Sequence, residues 1–182
     1  MKMDAIESSL VLVDYQARLM PAIHRADEVI AKALVLARAA TLLEVPVLGT
    51  EQNPERLGPN TEALARLCRH TVSKTHFGAC EDGLLAALDA QAPGRRKVVI
   101  AGCEAHVCML QTALGLLHAG RDVYVVENAS GSRRLSDHAA AMRRLAQAGA
   151  TLVTHEMVLF EWLHDCRHPH FREVLALIKA EA

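Results

Sequence analysis

Apolar residues fall into two kinds of grouping that alternate along the chain. Short β-branched runs, LVLVD at 10–14, VLGT at 47–50, VVIA at 98–101, DVYVV at 122–126 and ATLV at 150–153, are apolar on consecutive positions, as strands buried on both faces of a parallel sheet are. Between them lie stretches whose apolar residues recur at helical spacing, at 26–44, 61–68, 81–91, 107–117, 135–147, 156–165 and 170–180. The predicted helix at 26–44 carries acids in its first turn, and Pro169 sits where the last helix begins. Residues 70–79, HTVSKTHFGA, are polar and β-branched without a clear period and predict no regular element. Five strands alternating with helices predict one α/β domain over 1–182, three-layered, its mostly parallel sheet covered by helices on both faces.

One crossover concentrates the chemistry. In VVIAGCEAHVCMLQTALGLL, residues 98–117, the period switches from strand to helix across Gly102 to His106. Cys108 therefore falls in the first turn of a helix, where unpaired N–H groups and the positive end of the dipole favour a thiolate and offer donors to an oxyanion. On this reading Cys108 is the most reactive thiol of the chain. Asp14 closes the first strand, and in open α/β sheets the carboxyl ends of strands face the ligand crevice. Position alone leaves it equally readable as a loop or cap residue.

Composition narrows the class. The chain has 182 residues, 51% of them hydrophobic, and a formal net charge of −1, enough for one full core without a basic footprint for nucleic acid. Aromatic residues are 3% of the chain, too few for base-stacking surfaces. Residues 1–9 lack an apolar signal core, and no apolar run reaches membrane-spanning length, so a cytoplasmic protein is expected. Cysteines at 68, 80, 103, 108 and 166 form an odd set without a CxxC pair, which signals neither a disulfide framework nor a zinc knuckle. Ten histidines show no ligand spacing, and no GxGxxG or phosphate-binding loop occurs. No metal and no cofactor are expected.

The segments GCEAHVCMLQTAL and LLEVPVLGTEQNPERLG resemble the isochorismatase-like cysteine hydrolases, and most of all the isochorismatase domain-containing hydrolases, nearly end to end. The resemblance implies an isochorismatase-like, Rossmann-like fold and a cysteine hydrolase acting on a small amide-like C–N substrate through a thioester. It implies Cys108 as nucleophile, Asp14 as general acid and base, Lys74 as the catalytic cation, and the backbone N–H groups of Glu104 and Cys108 as the oxyanion hole. It further implies a cis bond at Cys103-Glu104 and a homo-oligomer. Lys74 rests on the resemblance alone, since a lone lysine is usually a solvated charge. Gln16, Gln52 and Phe77 are candidate pocket residues. Nicotinamidases of the superfamily hold a metal through an Asp-x-His pair after the second strand, whereas residues 51–54 here read Glu-Gln-Asn-Pro and offer neutral amides instead. The rival readings are a redox protein with Cys103 resolving an oxidised Cys108, and a partner-binding member of the fold without catalysis.

Overall fold

Strands β1 (Ser8–Val13), β2 (Val47–Gln52), β3 (His70–Lys74), β4 (Lys97–Gly102), β5 (Asp122–Val126) and β6 (Thr151–Val153) form one sheet in the order β3-β2-β1-β4-β5-β6. Every pairing is parallel. The coordinates are a computed structural model that describes residues 2–181. The helices are α1 (Ala26–Leu42), α2 (Pro54–Leu57), α3 (Glu62–Ala65), α4 (Leu84–Gln91), α5 (Cys108–His118), α6 (Leu135–Gln147), α7 (His155–Leu163) and α8 (Phe171–Glu181). Among the described residues no helix is long and apolar enough to cross a membrane.

The continuous apolar runs are explained by the pleat, which sends successive side chains to opposite faces. Leu10, Leu12, Val99, Ala101, Tyr124 and Val126 pack into the layer closed by α1, α7 and α8. Val11, Val13, Val98, Ile100, Val123 and Val125 pack into the layer closed by α4, α5 and α6. Both faces of β1 and β4 are buried throughout, so neither strand can show alternation in its sequence.

Two expectations need correction. The sheet has a sixth strand, β3, in the stretch where the pattern predicts none. As an edge strand it pairs only with β2, and its outer positions are exposed, so it carries polar residues and lacks the apolar run of a central strand. The predicted helix at 81–91 is split: a 3-10 turn spans Ala79–Asp82, Gly83 takes φ 99°, and α4 begins at Leu84.

The order of strands reverses between β1 and β4, the switch point at which such sheets open a crevice. Gly102 lets the two strands stay close there. A Cβ on it would lie 2.4 Å from the Val13 carbonyl oxygen and 2.5 Å from the Val13 Cβ.

Candidate active site

Asp14 follows β1 in a left-handed conformation, φ 53°, which turns its carboxylate into the crevice. The β1 and β2 register sets Val13 beside Thr50, and the Thr50 hydroxyl donates to Asp14 Oδ1 at 2.6 Å. Lys74, the last residue of β3, brings its Nζ to 2.9 Å from Asp14 Oδ2, and both side chains are wholly buried. At Oδ2 this is an ion pair without regular hydrogen-bond geometry.

The rest of the Lys74 ammonium is held by neutral oxygens. It donates to Gln52 Oε1 at 2.6 Å and to the Phe77 carbonyl at 3.0 Å, with the His76 carbonyl at 3.4 Å. The neighbouring carbonyl of Thr75 accepts from Gln52 Nε2 at 2.8 Å. Three successive carbonyls thus face inward. They are held from outside by Asp82, whose Oδ2 accepts from the amides of Thr75 (2.7 Å) and His76 (2.9 Å) and whose Oδ1 meets His76 Nδ1 at 2.9 Å. The hydrogen bond to Asp82 raises the His76 pKa above its ordinary value.

Gln16, expected in the pocket, is a brace instead. It is fully buried, accepts from the Gln52 amide at 2.8 Å and donates to the Gln52 and Gly58 carbonyls at 3.0 and 2.6 Å. A carboxamide there satisfies the backbone just past β2, and both of its N–H groups are used. Phe77 contributes its carbonyl to Lys74, while its ring is 53% exposed at the surface.

The Cys103-Glu104 bond that ends β4 is cis. The chain then turns so that Ala105 donates to the Gly131 carbonyl at 2.7 Å, and the Glu104 carboxylate accepts from Arg133 Nε at 2.9 Å and Arg133 N at 3.1 Å. The amides of Val107 and Met109 both donate to the Glu104 carbonyl. Among the described residues the Glu104 and Cys108 amides have no hydrogen-bond acceptor. Cys108 opens α5 with its Sγ 3.8 Å from Gln52 Oε1.

The thiol is not the ready thiolate that the helix start predicts. Burial, and after it the Asp14 charge, push Cys108 up to about 12, with Lys74 pulling the other way. Desolvation outweighs the favourable ends of the helix and the lysine. Cys68 and Cys80 are likewise pushed up to about 11 by burial, and Cys103 well above the thiol range. Cys166 is exposed. Limiting iodoacetamide at neutral pH, followed by peptide mapping, is expected to label the exposed Cys166 before Cys108, the reverse of the order expected from sequence. Labelling of Cys108 rises about tenfold per pH unit toward its pKa.

Asp14, Lys74, Gln52 and Cys108 thus converge from β1, β3, β2 and the start of α5. Thr50 and Asp82 belong to the same arrangement and were missed. Thr50 becomes visible only with the β1 and β2 register, and Asp82 only with the turn it closes. Among the described residues no three His, Cys, Asp or Glu side chains gather as metal ligands. A separate cleft of about 260 Å³ between the starts of α1 and α6, lined by His24, Arg25, Lys32 and His138, contains none of the four converging residues. The site is located by its buried ion pair beside the thiol.

The Isochorismatase domain family model matches residues 8–157. Isochorismatase domain-containing protein 2A of Mus musculus is 38% identical over 175 residues, covering 94% of this chain and 82% of its own length. Among solved structures, a MAR1 ribonuclease from Caenorhabditis elegans superposes with a TM-score of 0.91 at 32% identity, covering 98% of this chain and 93% of the other. YcaC from Pseudomonas aeruginosa, bearing hexane-2,5-diol and covalent acrylamide, gives 0.91 at 26%, with 99% and 93% covered. The Escherichia coli YcaC product, described as an octameric hydrolase of unknown specificity, gives 0.86 at 25%, with 100% and 98% covered. With its switch-point crevice and a family match over most of its length, the chain belongs to the isochorismatase-domain family of hydrolases.

Proposed function

We propose that the protein is a cysteine hydrolase of a small amide-like substrate, with Cys108 as nucleophile, Asp14 as proton carrier and Lys74 as charge partner. The observation that carries this reading is the wholly buried Asp14–Lys74 ion pair set beside the Cys108 thiol at the start of α5. Asp14 is placed to take up the thiol proton, and the Lys74 ammonium offsets the negative charge whichever atom bears it. As Sγ attacks the carbonyl carbon, its proton passes to Asp14, and the carbonyl π pair becomes the oxyanion. Collapse of the tetrahedral intermediate breaks the C–N bond, the amine leaves with the proton from Asp14, and a thioester remains. Water, deprotonated by Asp14, attacks the thioester. The acid departs, and Cys108 recovers its proton.

The family resemblance assigns the oxyanion to the backbone N–H groups of Glu104 and Cys108, and that both lack an acceptor among the described residues supports the assignment. Covalent acrylamide is named for the Pseudomonas aeruginosa neighbour; acrylamide bonds to nucleophiles by conjugate addition, which supports a nucleophilic group in the corresponding site here. A phosphodiester, as the ribonuclease of Caenorhabditis elegans would require, brings negative charge to a buried site whose one ammonium is already paired with the Asp14 carboxylate. The redox alternative is disfavoured because Cys103 and Cys108 pack into core layers on opposite faces of the sheet.

The test is a screen of small amides and ureas with matched esters. Turnover that falls about 10³-fold or more in Cys108→Ala is expected; full activity in that variant overturns the reading. The active form is a homo-oligomer, on the support of the octameric neighbour and the exposed Phe77, Leu135, Met157 and Phe160. Sedimentation at micromolar concentration checks this, and a monomer contradicts it.

A further inference from the structure

We infer that Gln52 restricts the substrate to amides or ureas that carry an N–H beside the scissile carbonyl, an inference that rests on the proposed hydrolase. The orientation of its carboxamide is fixed from two sides. Lys74 Nζ, which can only donate, lies 2.6 Å from one end, so that end is Oε1. The Thr75 carbonyl, which can only accept, lies 2.8 Å from the other, so that end is Nε2. Its backbone is pinned in turn by Gln16 at both N–H and C=O. The side chain therefore cannot flip to offer a donor to the crevice.

Oε1 has two lone pairs. One accepts from Lys74, and the other faces Cys108 Sγ at 3.8 Å, where it holds the resting thiol proton. When that proton moves to Asp14, this lone pair loses its donor and faces a sulfur that is gaining negative charge. A substrate N–H on the attacked carbon, seated over Sγ, takes the vacated place. An ester or a tertiary amide has no such hydrogen and leaves Oε1 unpaired in a site largely closed to water, a loss of about tenfold in rate. Gln52 acts as a specificity determinant that distinguishes the two states of the nucleophile, because its acceptor is free for substrate only once the thiol has given up its proton.

The experiment measures kcat/KM for the amide found in the screen, its N,N-dimethyl derivative and its methyl ester, with wild type, Gln52→Leu and Gln52→Glu. Circular dichroism and thermal melting verify the fold of each variant. Wild type is expected to favour the primary amide relative to the alkaline hydrolysis rates of the three compounds, and Gln52→Leu to lose about tenfold more on the amide than on the ester. Gln52→Glu, which keeps an acceptor for both Lys74 and the substrate N–H, is expected to keep the preference with a shifted pH profile. A parallel loss on all three compounds, or an amide rate untouched in Gln52→Leu, overturns the inference while leaving the hydrolase standing. A wild-type protein that turns over none of the matched compounds, with Cys108 intact by mass, overturns both.

Discussion

Asp14→Asn is expected to lower amide hydrolysis by about 10²–10⁴-fold and, in the same protein, to speed direct alkylation of Cys108. Asparagine tolerates the left-handed φ of 53° and can still accept from Thr50, so the local chain is kept. It cannot take up a proton. At the same time the Asp14 charge, second to burial among the causes that push Cys108 up, is gone, while Lys74 remains. The thiol then falls from about 12, and its labelling by iodoacetamide at pH 8–9 accelerates. A purely structural role for Asp14 would slow hydrolysis without raising the alkylation rate. Steady-state kinetics beside mass-resolved labelling decides between them.

Lys74→Met is expected to cost stability as well as activity, by about 3–5 kcal/mol or on the order of 10 °C in Tm. Its side chain is wholly buried against Asp14, and the substitution leaves an uncompensated buried carboxylate and three carbonyl or amide oxygens without their donor. The discriminating measurement is the double variant. Asp14→Asn combined with Lys74→Met removes both charges and is expected to be more stable than Lys74→Met alone, because the second change takes away the charge that the first stranded. Additive losses in thermal or urea unfolding would show that packing, and not the charge pair, sets the cost.

These outcomes bear on how far the chain could be read before its fold was known. β1, β4 and β5 are legible because strands buried on both faces leave unbroken apolar runs, and α5 because its period changes just after Gly102. Cys108 and Asp14 follow from those elements, each at the crevice end of its own. Lys74 does not, because β3 is an edge strand whose polar, half-exposed residues carry no period, and only resemblance pointed to position 74. Thr50 and Asp82 were silent for a different reason. Their roles depend on which strand lies beside β1 and how a turn closes, and neither is encoded locally. The helix position of Cys108 is readable in sequence, whereas the burial that pushes its thiol up is a property of the assembled layers.

Gln16 shows how a motif can mislead about contact. Beyond Val13 the main chain leaves the sheet to aim Asp14 inward, yet the next rung of the ladder is still made, because the Gln16 carboxamide offers Gln52 the donor and acceptor that a strand residue would have offered. One side chain stands in for a peptide unit, and only glutamine has both groups at that reach. Efforts to retune this pocket toward other substrates would accordingly vary Gln52 and hold residue 16 constant, although it sits two positions from Asp14 and reads, along the chain, like part of the binding surface.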